Sequence, residues 1–387
     1  MRVLFLSPSN RLLGARRSLI DLISHLPGEV EPLVVCPGVG DLHTTLTDCG
    51  VPVEAVAHYP WRKFLGQVRS RTLQLPRLRS IARRFRPDVI HVNEYHAIPQ
   101  GLRVVPGALH QAKAGFPLGQ QPPVIGHVRS FLEPRHIRNY ELRHCARVAC
   151  VSEYLKSLFP PEYSARLRVV YNGVDLTGFR RREGARRPLP QTAHWPESAL
   201  VCGLLALVSD NKNQLIACEA VARAAAQGAD VRLVIAGDAF KSSLEYGERL
   251  TERLRAPDLA QRVVWLPFQK DVQAIYDALD VNLLISTQEG FGRTIIEAGS
   301  VGLPSIGSQT GGIPEIIMPG ETGWLTPVGD AQAVAAAMVE AWSRRIDTHR
   351  RGHAAHERIR ANFTLEATAR RVVDLWTEAL EESPVRP

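Results

Sequence analysis

The sequence predicts an α/β protein of two doubly wound domains, each a parallel sheet with helices on both faces. Three observations support this prediction. The chain has 387 residues, a length at which two domains are expected. Strand-like and helix-like segments alternate through about the first 150 residues. A polar, proline-rich stretch at residues 180–198 then interrupts the alternation, which restarts near residue 200.

The first domain is predicted from short apolar runs that are typical of buried parallel strands. These runs lie at residues 3–7, 32–36, 88–93, 124–128 and 147–152. Between them, residues 15–26 have Leu19, Leu22, Ile23 and Leu26 at helical spacing, which predicts a helix. Further helices are expected over residues 78–85 and around Tyr140.

The second domain repeats the same alternation. Strands are predicted at residues 200–206, 231–236, 263–266 and 281–285, with helices at 214–227, 246–254 and 272–279. We therefore expect a first domain over residues 1–180, a linker over 181–198 and a second domain over 199–364. A final helix is expected at 365–380. The two domains are expected to face a central cleft.

Composition excludes some classes of protein and leaves others open. Apolar residues make up 45% of the chain, and no run of about 18 apolar residues predicts a transmembrane helix. The first apolar run is too short for a signal peptide. The six cysteines show no disulfide or metal-ligand spacing, which favours a cytoplasmic location.

The charge is unevenly distributed. The net charge is +8, and residues 1–180 hold 24 Lys and Arg against 13 Asp and Glu. Such a basic excess is compatible with nucleic acid, anionic lipid or an acidic substrate.

The most informative segment is residues 289–297, where two glutamates flank a Gly-Phe-Gly bend between a predicted strand and a predicted helix. Such a bend lets backbone N–H groups approach an anion, and the helix N-terminus adds a partial positive charge. Glu297 lies one turn inside the helix, where a carboxylate can accept hydrogen bonds from sugar hydroxyls. Glu289 precedes the bend and can face a second polyol. The segment predicts a site for a phosphate flanked by sugars, that is, a nucleotide sugar.

Further motifs follow in a fixed order. Two precede the two-glutamate segment in the second domain: Lys-Asn-Gln at 212–214 and Val-Ile-Ala-Gly-Asp at 234–238. Asn-Gly-Val-Asp occurs at 172–175. After the segment come Gly-Leu-Pro at 302–304, Gly-Gly-Ile-Pro-Glu at 311–315 and Gly-Glu-Thr-Gly at 320–323. In this order the chain resembles the retaining glycosyltransferases of the GT4 family, which have the GT-B fold.

The resemblance implies a hexosyltransferase that moves a sugar from a nucleoside diphosphate sugar, most simply a UDP-sugar, to an acceptor hydroxyl with retention. It places the acceptor on the first domain, with the final helix at 365–380 packed back on that domain, and it places Glu297 beside the donor ribose. Glu289 would lie near the transferred sugar, and the backbone of Gly290, Phe291, Gly292 and Arg293 would bind sugar hydroxyls and phosphate. Neither a resident cofactor nor a divalent metal is expected, since cations and helix dipoles can hold the diphosphate.

Lys212 is the predicted cation for the leaving diphosphate, although a loop lysine can also be merely solvated. Many relatives carry an arginine five positions earlier, where this chain has Leu207. Arg293, at the start of the helix after the bend, is a candidate substitute for that arginine.

Two further site residues are predicted in the first domain. The helix that begins near Gly14 could present its N-terminus to the donor phosphate or to the acceptor, although a turn glycine explains Gly14 nearly as well. His127 lies at the carboxyl end of a strand, where ligands bind in open α/β sheets. The resemblance places it beside the reacting carbon of the sugar. His91 and Asn93 end a neighbouring strand and could line the acceptor side.

Two other functions are compatible with parts of the sequence. A non-hydrolysing sugar-nucleotide epimerase would need a separate set of acid and base residues, which the sequence does not reveal. A non-enzymatic nucleic-acid binder would suit the charge, but the basic residues lack interleaved aromatic residues. The acceptor stays open between a lipid-linked or cell-surface glycan intermediate and a soluble small molecule.

Residues 61–71 suggest a contact with membrane. On a helix, Trp61, Phe64, Leu65 and Val68 would share one face, with basic residues mostly elsewhere. This pattern predicts reversible docking on anionic lipid at the inner face of the membrane. An ordinary Arg-rich core helix is the alternative.

Overall fold

The computed structural model describes residues 1–11, 14–61, 63–105, 121–179 and 186–382. The chain divides into two units. Unit 1 comprises Met1–Gly173 and the segment from Leu365 onward, and unit 2 comprises Val174–Thr364.

Unit 1 is built on a seven-stranded sheet in which every strand pair is parallel, in the order β3-β2-β1-β4-β5-β6-β7. The strands are β1 (Arg2–Leu6), β2 (Glu31–Cys36), β3 (Val53–Ala55), β4 (Val89–Val92), β5 (Val124–Val128), β6 (Arg147–Cys150) and β7 (Leu167–Val169). The first helices are α1 (Gly14–Ile23), α2 (Asp41–Asp48), α3 (Phe64–Arg69), α4 (Leu75–Phe85), α5 (Ile98–Val104), α6 (Pro134–Asn139) and α7 (Glu153–Ser157). The strand order reverses between β1 and β4, which makes this the switch point of the sheet, where ligands bind in open α/β sheets.

Unit 2 has a six-stranded parallel sheet in the order β10-β9-β8-β11-β12-β13, with its switch point between β8 and β11. The strands are β8 (Leu200–Leu205), β9 (Val231–Ala236), β10 (Val263–Leu266), β11 (Val281–Leu284), β12 (Ser305–Ser308) and β13 (Gly323–Thr326). The helices are α8 (Gln214–Ala226), α9 (Leu244–Leu254), α10 (Val272–Asp277), α11 (Arg293–Ser300), α12 (Ile313–Ile316), α13 (Ala331–Ser343) and α14 (Arg345–Asn362).

Burial explains why both sheets are parallel. Strands β1 and β8 are apolar along almost their whole length, and Val3, Leu4 and Phe5 are fully buried. Strands covered by helices on both faces need such continuous apolar runs, because neither face meets water. The predicted fold class of two doubly wound α/β sheets is confirmed.

The C-terminal helix α15 (Leu365–Glu381) belongs to unit 1. Its residue Trp376 is fully buried in the core of that unit, and Thr368 donates a hydrogen bond to the carbonyl oxygen of Tyr171 at 2.9 Å. The helix therefore fills one face of the first sheet, a role that its apolar positions at helical spacing require.

Residues 186–198, expected as a linker, pack against unit 2 instead. Trp195 lies in an apolar cluster of that unit, and Arg186 forms an ion pair with Asp280 at 2.9 Å. The difference arises because this proline-rich stretch contains apolar side chains, and removing them from water against unit 2 is favourable. Residues 181–185 lie outside the described part of the chain.

The segment at residues 61–71 differs from the predicted interfacial helix in one respect. Helix α3 begins at Phe64, and Trp61 is only 5% exposed, with the guanidinium of Arg103 over its ring at 4.5 Å. Trp61 is therefore a buried anchor of unit 1 and cannot lie on an exposed apolar face. Phe64 and Leu65 do lie on the surface, with 78% and 68% of their area exposed. Arg62 lies outside the described residues.

Within the described residues, no helix combines the length and the apolar character that crossing a membrane requires.

Candidate functional site

Two loops meet at the switch point of unit 2. One follows β8 and contains Asn211, and the other follows β11 and contains Thr287 and Gln288. The side chain of Asn211 donates to the carbonyl of Gln288 and accepts from its N–H, both at 3.0 Å. The N–H of Thr287 donates to the carbonyl of Asn211 at 2.8 Å. These three hydrogen bonds hold the two loops in a fixed position relative to each other.

These hydrogen bonds between the two loops bring together two of the predicted catalytic residues, Lys212 and Glu289. The ammonium of Lys212 lies 2.5 Å from a carboxylate oxygen of Glu289, and the Ser286 hydroxyl lies 3.4 Å from each group. Both charged side chains are about one-fifth exposed, at 22% and 18%. The pair is therefore open to an incoming ligand yet held in one place, as a site for charged groups requires.

Gly311 supports the same loop from the other side. Its φ is +57°, and a Cβ added to it would overlap the carbonyl oxygen of Glu289. The N–H of Gly312 reaches that carbonyl at 3.3 Å. The Gly-Gly pair thus lets two backbones touch beneath Glu289, a role that the motif in the sequence did not reveal.

The glycine bend leads directly into α11. Gly292 is the N-cap of this helix, with φ +120°, a conformation that other residues rarely adopt. The ring of Phe291 is buried against Phe363, with ring centroids 5.8 Å apart. The side chain of Phe291 therefore anchors the bend in the core, and only its backbone, like that of Gly290, is suited to meet a ligand.

Glu297 lies in the second turn of α11 and is 6% exposed. Arg293 contacts one of its carboxylate oxygens at 3.2 Å, and the hydroxyl of Tyr276 donates to the other at 3.0 Å. An arginine in the first turn opposes the helix dipole, and the ion pair with Glu297 offsets that cost. The positions of Arg293 and of the N-terminus of α11 together make this end of the helix favourable for an anion.

Leu207 is half-buried and lies just after β8. Its carbonyl oxygen accepts a hydrogen bond from the side-chain amide of Gln214 at 2.9 Å. The position that carries an arginine in many GT4 enzymes is therefore apolar here. Lys212 and Arg293 are the cations that the two loops present.

In unit 1, His127 is at the end of a buried chain of rings. The indole N–H of Trp376 donates to Nδ1 of His91 at 3.0 Å, and Nε2 of His91 lies 3.1 Å from Nδ1 of His127. Because Trp376 can only donate, His91 must carry its proton on Nε2 and donate to His127. His127 is then protonated on Nε2, and this N–H has no partner among the described residues.

Both imidazoles are held neutral. Burial, followed by the charge of Arg129, lowers the pKa of His91 to about 3. Burial is also the main cause that lowers the pKa of His127 well below its ordinary value, with smaller contributions from Arg129 and His91. His127 is therefore a neutral imidazole at the carboxyl edge of the sheet, and its Nε2–H is buried, since the residue is only 1% exposed.

His91 and Asn93 do not line an open surface, since both are fully buried. Asn93 accepts a hydrogen bond from Arg129 at 2.9 Å and donates to the carbonyl of Ala15 at 3.1 Å. Their role in this structure is to support His127, Arg129 and the start of α1. The sequence predicted their place at the strand ends but not their burial.

Gly14 is the first residue of α1 and follows β1 at the switch point of unit 1. Its carbonyl accepts from Ser18, and Arg16 in the same turn pairs with Glu94 at 2.6 Å. Leu13 lies outside the described residues.

Across the described ranges, no three His, Cys, Asp or Glu side chains are grouped to hold a metal ion. The metal-free reaction stays a prediction.

Two family models match the chain. Residues 13–177 match the model described as Glycosyltransferase Family 4, and residues 198–344 match the one described as Glycosyl transferases group 1. The first match falls in unit 1 except for its last four residues, and the second falls in unit 2, so the two models agree closely with the division of the chain.

Relatives of known name match parts of the chain. N-acetyl-alpha-D-glucosaminyl L-malate synthase of Bacillus anthracis is 32% identical over 156 residues, 40% of this chain and 39% of that protein. D-inositol 3-phosphate glycosyltransferase of Mycobacterium marinum is 32% identical over 178 residues, 45% of this chain and 36% of that protein. The matches thus span about two fifths of these relatives.

Solved structures match over nearly the full length. HepE of Anabaena, in complex with UDP and glucose, superposes with a TM-score of 0.82 at 24% identity, covering 97% of this chain and 99% of HepE. Sucrose-phosphate synthase of Thermosynechococcus elongatus superposes with a TM-score of 0.73 at 16% identity, covering 98% and 99%. At these identities the likeness establishes the fold, which is GT-B.

Proposed function

Because the chain belongs to the glycosyltransferases of the GT4 type, we propose that it transfers a hexose from a nucleoside diphosphate sugar to an acceptor hydroxyl with retention. The observation that supports this most directly is the loop pair at the switch point of unit 2. There Lys212, Glu289 and the N-terminus of α11 surround the place where ligands bind in open α/β sheets.

The donor phosphates are assigned to the bend and to two cations. The backbone from Gly290 to Arg293 leads into a helix N-terminus, which favours negative charge. Lys212 would exchange Glu289 for the diphosphate, and Arg293 would supply the second cation in place of the arginine missing at Leu207.

The sugars of the donor are assigned to the two glutamates. Glu297 keeps lone pairs beyond those used by Arg293 and Tyr276, so its carboxylate can still accept bonds from ribose hydroxyls. Glu289 would face the transferred sugar once Lys212 turns to the phosphate. The N–H of His127 is buried in this structure, so its donation to a substrate hydroxyl would require the groups that cover it to move.

The chemistry needs positioning and charge stabilisation. The acceptor hydroxyl would attack the face from which the nucleotide leaves, and the leaving phosphate oxygen would take its proton. Lys212 would stabilise the charge that grows on the diphosphate as the sugar becomes oxocarbenium-like. Cations and a helix dipole supply this stabilisation without a divalent metal.

UDP is the proposed nucleotide, because HepE is solved with UDP and with UDP-glucose. The acceptor is proposed to be either a lipid-linked or cell-surface glycan intermediate or a small molecule. Matched relatives include both kinds, since one is the lipopolysaccharide core biosynthesis mannosyltransferase LpcC of Rhizobium leguminosarum and another is the N-acetyl-alpha-D-glucosaminyl L-malate synthase of Bacillus anthracis.

The test is incubation of the full chain with a panel of UDP-sugars in the presence of EDTA. We expect slow release of UDP from one donor, about a hundredfold slower in Lys212→Ala and kept in Lys270→Ala, an exposed lysine of the same unit. Interconversion of UDP-sugars without UDP release would instead indicate an epimerase. Binding of nucleic acid without any UDP binding would contradict the proposal.

We also propose peripheral docking on anionic lipid at the cytoplasmic face of a membrane. Four large apolar side chains of α3 and the turn after it are exposed: Phe64, Leu65, Val68 and Leu73. Lys63, Arg69 and Arg71 flank them. Each basic residue near such a surface contributes about 1 kcal/mol, and the attraction fades with salt.

Sedimentation with vesicles tests this docking. We expect binding to anionic but not neutral vesicles, reversed by salt and weakened by Phe64→Glu. Ile346→Glu is the matched control, because Ile346 is also a highly exposed apolar residue and lies in unit 2. Equal binding by both variants, or no binding at low salt, would exclude the patch as a membrane surface.

A further inference from the structure

Asn213 follows Lys212 directly and has an unusual backbone conformation. Its φ is +57°, in the left-handed region, and it is the N-cap of helix α8. Glycine adopts this region without steric cost, and asparagine is among the few other residues that tolerate it. A glycine would therefore serve the backbone here at least as well, so the presence of the Asn213 side chain needs another explanation.

The side-chain amide of Asn213 binds the loop that carries Glu289. Its Nδ2 donates to the carbonyl of Ile285 at 2.8 Å and to the hydroxyl oxygen of Thr287 at 3.1 Å. Ile285 is the residue that directly follows β11. The loop after β11 is thus tied to the start of α8 by an amide that glycine lacks.

Neighbouring hydrogen bonds hold the same loop along its length. Lys212 lies between two of the donors, Asn211 and Asn213, so its Cα is anchored on both sides to the loop that ends at Glu289. Four carbonyl oxygens of the loop accept hydrogen bonds at 2.8 to 3.3 Å, each from a different residue: Asn213 binds Ile285, Thr310 binds Thr287, Asn211 binds Gln288 and Gly312 binds Glu289.

The position of the Lys212 ammonium depends on these bonds, because the four-carbon stem of a lysine is flexible. The ammonium lies 2.5 Å from Glu289 and 3.4 Å from the hydroxyl of Ser286, and both partners belong to the loop that Asn213 holds. We propose that Asn213 is a positioning residue, which keeps the Lys212 ammonium where the leaving diphosphate of the donor forms. The proposal rests on the proposed glycosyl transfer. It concerns turnover, because a displacement of about 1 Å can slow a reaction about a hundredfold.

Asn213→Gly tests the proposal, because it keeps the left-handed backbone and removes only the amide. We expect the turnover of a UDP-sugar to fall about tenfold, the effect of losing one good hydrogen bond in the transition state. The affinity for UDP, measured by calorimetric titration, should change much less. An unchanged UDP affinity also shows that the variant is folded.

The matched control is Gln261→Gly. Gln261 is an exposed residue of unit 2 with the same backbone conformation, at φ +60°. It lies just before β10, at the amino edge of the sheet, whereas the loops that carry Lys212 and Glu289 lie at the carboxyl edge. This variant relaxes the same backbone strain without touching either loop, so it should turn over like the wild type.

A double-mutant cycle separates positioning from a merely structural role. If Asn213 acts through Lys212, Asn213→Gly should slow turnover no further in the Lys212→Ala background, whereas a structural role would slow it about tenfold in both backgrounds. A second readout needs no turnover. In carbon-13 NMR of lysine-labelled protein, the side chain of Lys212 should be more mobile in Asn213→Gly than in the wild type, and Gln261→Gly should leave it unchanged.

Three results would overturn the inference: wild-type turnover in Asn213→Gly, a further loss of turnover in the Lys212→Ala background, or an unchanged Lys212 signal in Asn213→Gly. A wild type that binds no UDP and releases none from any UDP-sugar would contradict the proposed function instead. The NMR comparison would still decide whether Asn213 fixes the side chain of Lys212.

Discussion

The orientation of His127 should depend on Trp376, a residue 249 positions away on the last helix of the chain. In Trp376→Phe the aromatic ring stays but the indole N–H is lost. Nδ1 of His91 then becomes a buried acceptor without a donor, which costs about 1–3 kcal/mol. His91 can relieve this cost by carrying its proton on Nδ1 instead of Nε2. Its Nε2 would then accept a hydrogen bond from Nδ1 of His127, and Nε2 of His127 would no longer carry a proton.

Three measurements follow from this prediction. Nitrogen-15 NMR of histidine-labelled protein should show His127 protonated on Nε2 in the wild type and a mixture of tautomers in Trp376→Phe. Urea unfolding should show a loss of about 1–3 kcal/mol. Turnover should fall while donor affinity is kept, since a bond that orients substrate is disturbed rather than the nucleotide site.

The control is Trp195→Phe. Trp195 is also buried, but its indole N–H has no partner among the described residues. This variant makes the same change in volume without breaking a hydrogen bond, so it should be less destabilising. Equal losses in the two variants, with the tautomer of His127 unchanged in Trp376→Phe, would refute the reasoning.

Three further predictions follow from the site and from the buried imidazoles. Lys212→Ala should lower turnover about a hundredfold with a smaller effect on donor affinity, as steady-state kinetics would show, because charge on the leaving group grows in the transition state. Gly311→Ala should reduce activity while unit 1 stays intact, since its Cβ would displace the carbonyl of Glu289; an active variant with unchanged kinetics would contradict this. The third prediction concerns pH. The pKa of His91 is about 3 in the folded protein and about 6.5 in the unfolded chain, because burial disfavours the charged imidazole. Protonation below about pH 6.5 therefore favours the unfolded chain, and the protein becomes less stable as the pH falls. Urea unfolding at pH 5 should therefore show a loss of about 2 kcal/mol from this group, and equal stability at pH 7.5 and pH 5 would exclude it.

The sequence predicted those parts of the fold that have strong apolar periodicity. Strands such as β1, β8 and β9 are continuous apolar runs, and their place in a buried parallel sheet follows from that pattern. Strand β12 was not predicted. It reads Ser-Ile-Gly-Ser, yet all four residues are buried. Its burial comes from neighbouring helices, which no local pattern reveals.

The part of the site that the sequence predicts consists of residues within recognisable motifs. Lys212 and Glu289 are 77 positions apart, and the structure joins them in one ion pair. The support beneath them was not predicted, because the role of Gly311 depends on a contact with a distant backbone. The prediction that Trp61 lies on an exposed helical face was wrong for a similar reason. An apolar residue beside a helical stripe can lie on the surface or in the core, and the sequence does not show that Arg103, 42 positions away, covers its ring.

The most direct test of the account is the anomer of the sugar first released from a UDP-sugar by the full chain. Proton NMR in real time can follow UDP-glucose, whose glucose is α-linked, before the free sugar equilibrates. We predict that the α-anomer of glucose appears first together with UDP, in the presence of EDTA, and that Lys212→Ala slows the appearance of both signals about a hundredfold. Release of the β-anomer first, or the absence of UDP release from every UDP-sugar tested, would contradict a retaining transfer at this site.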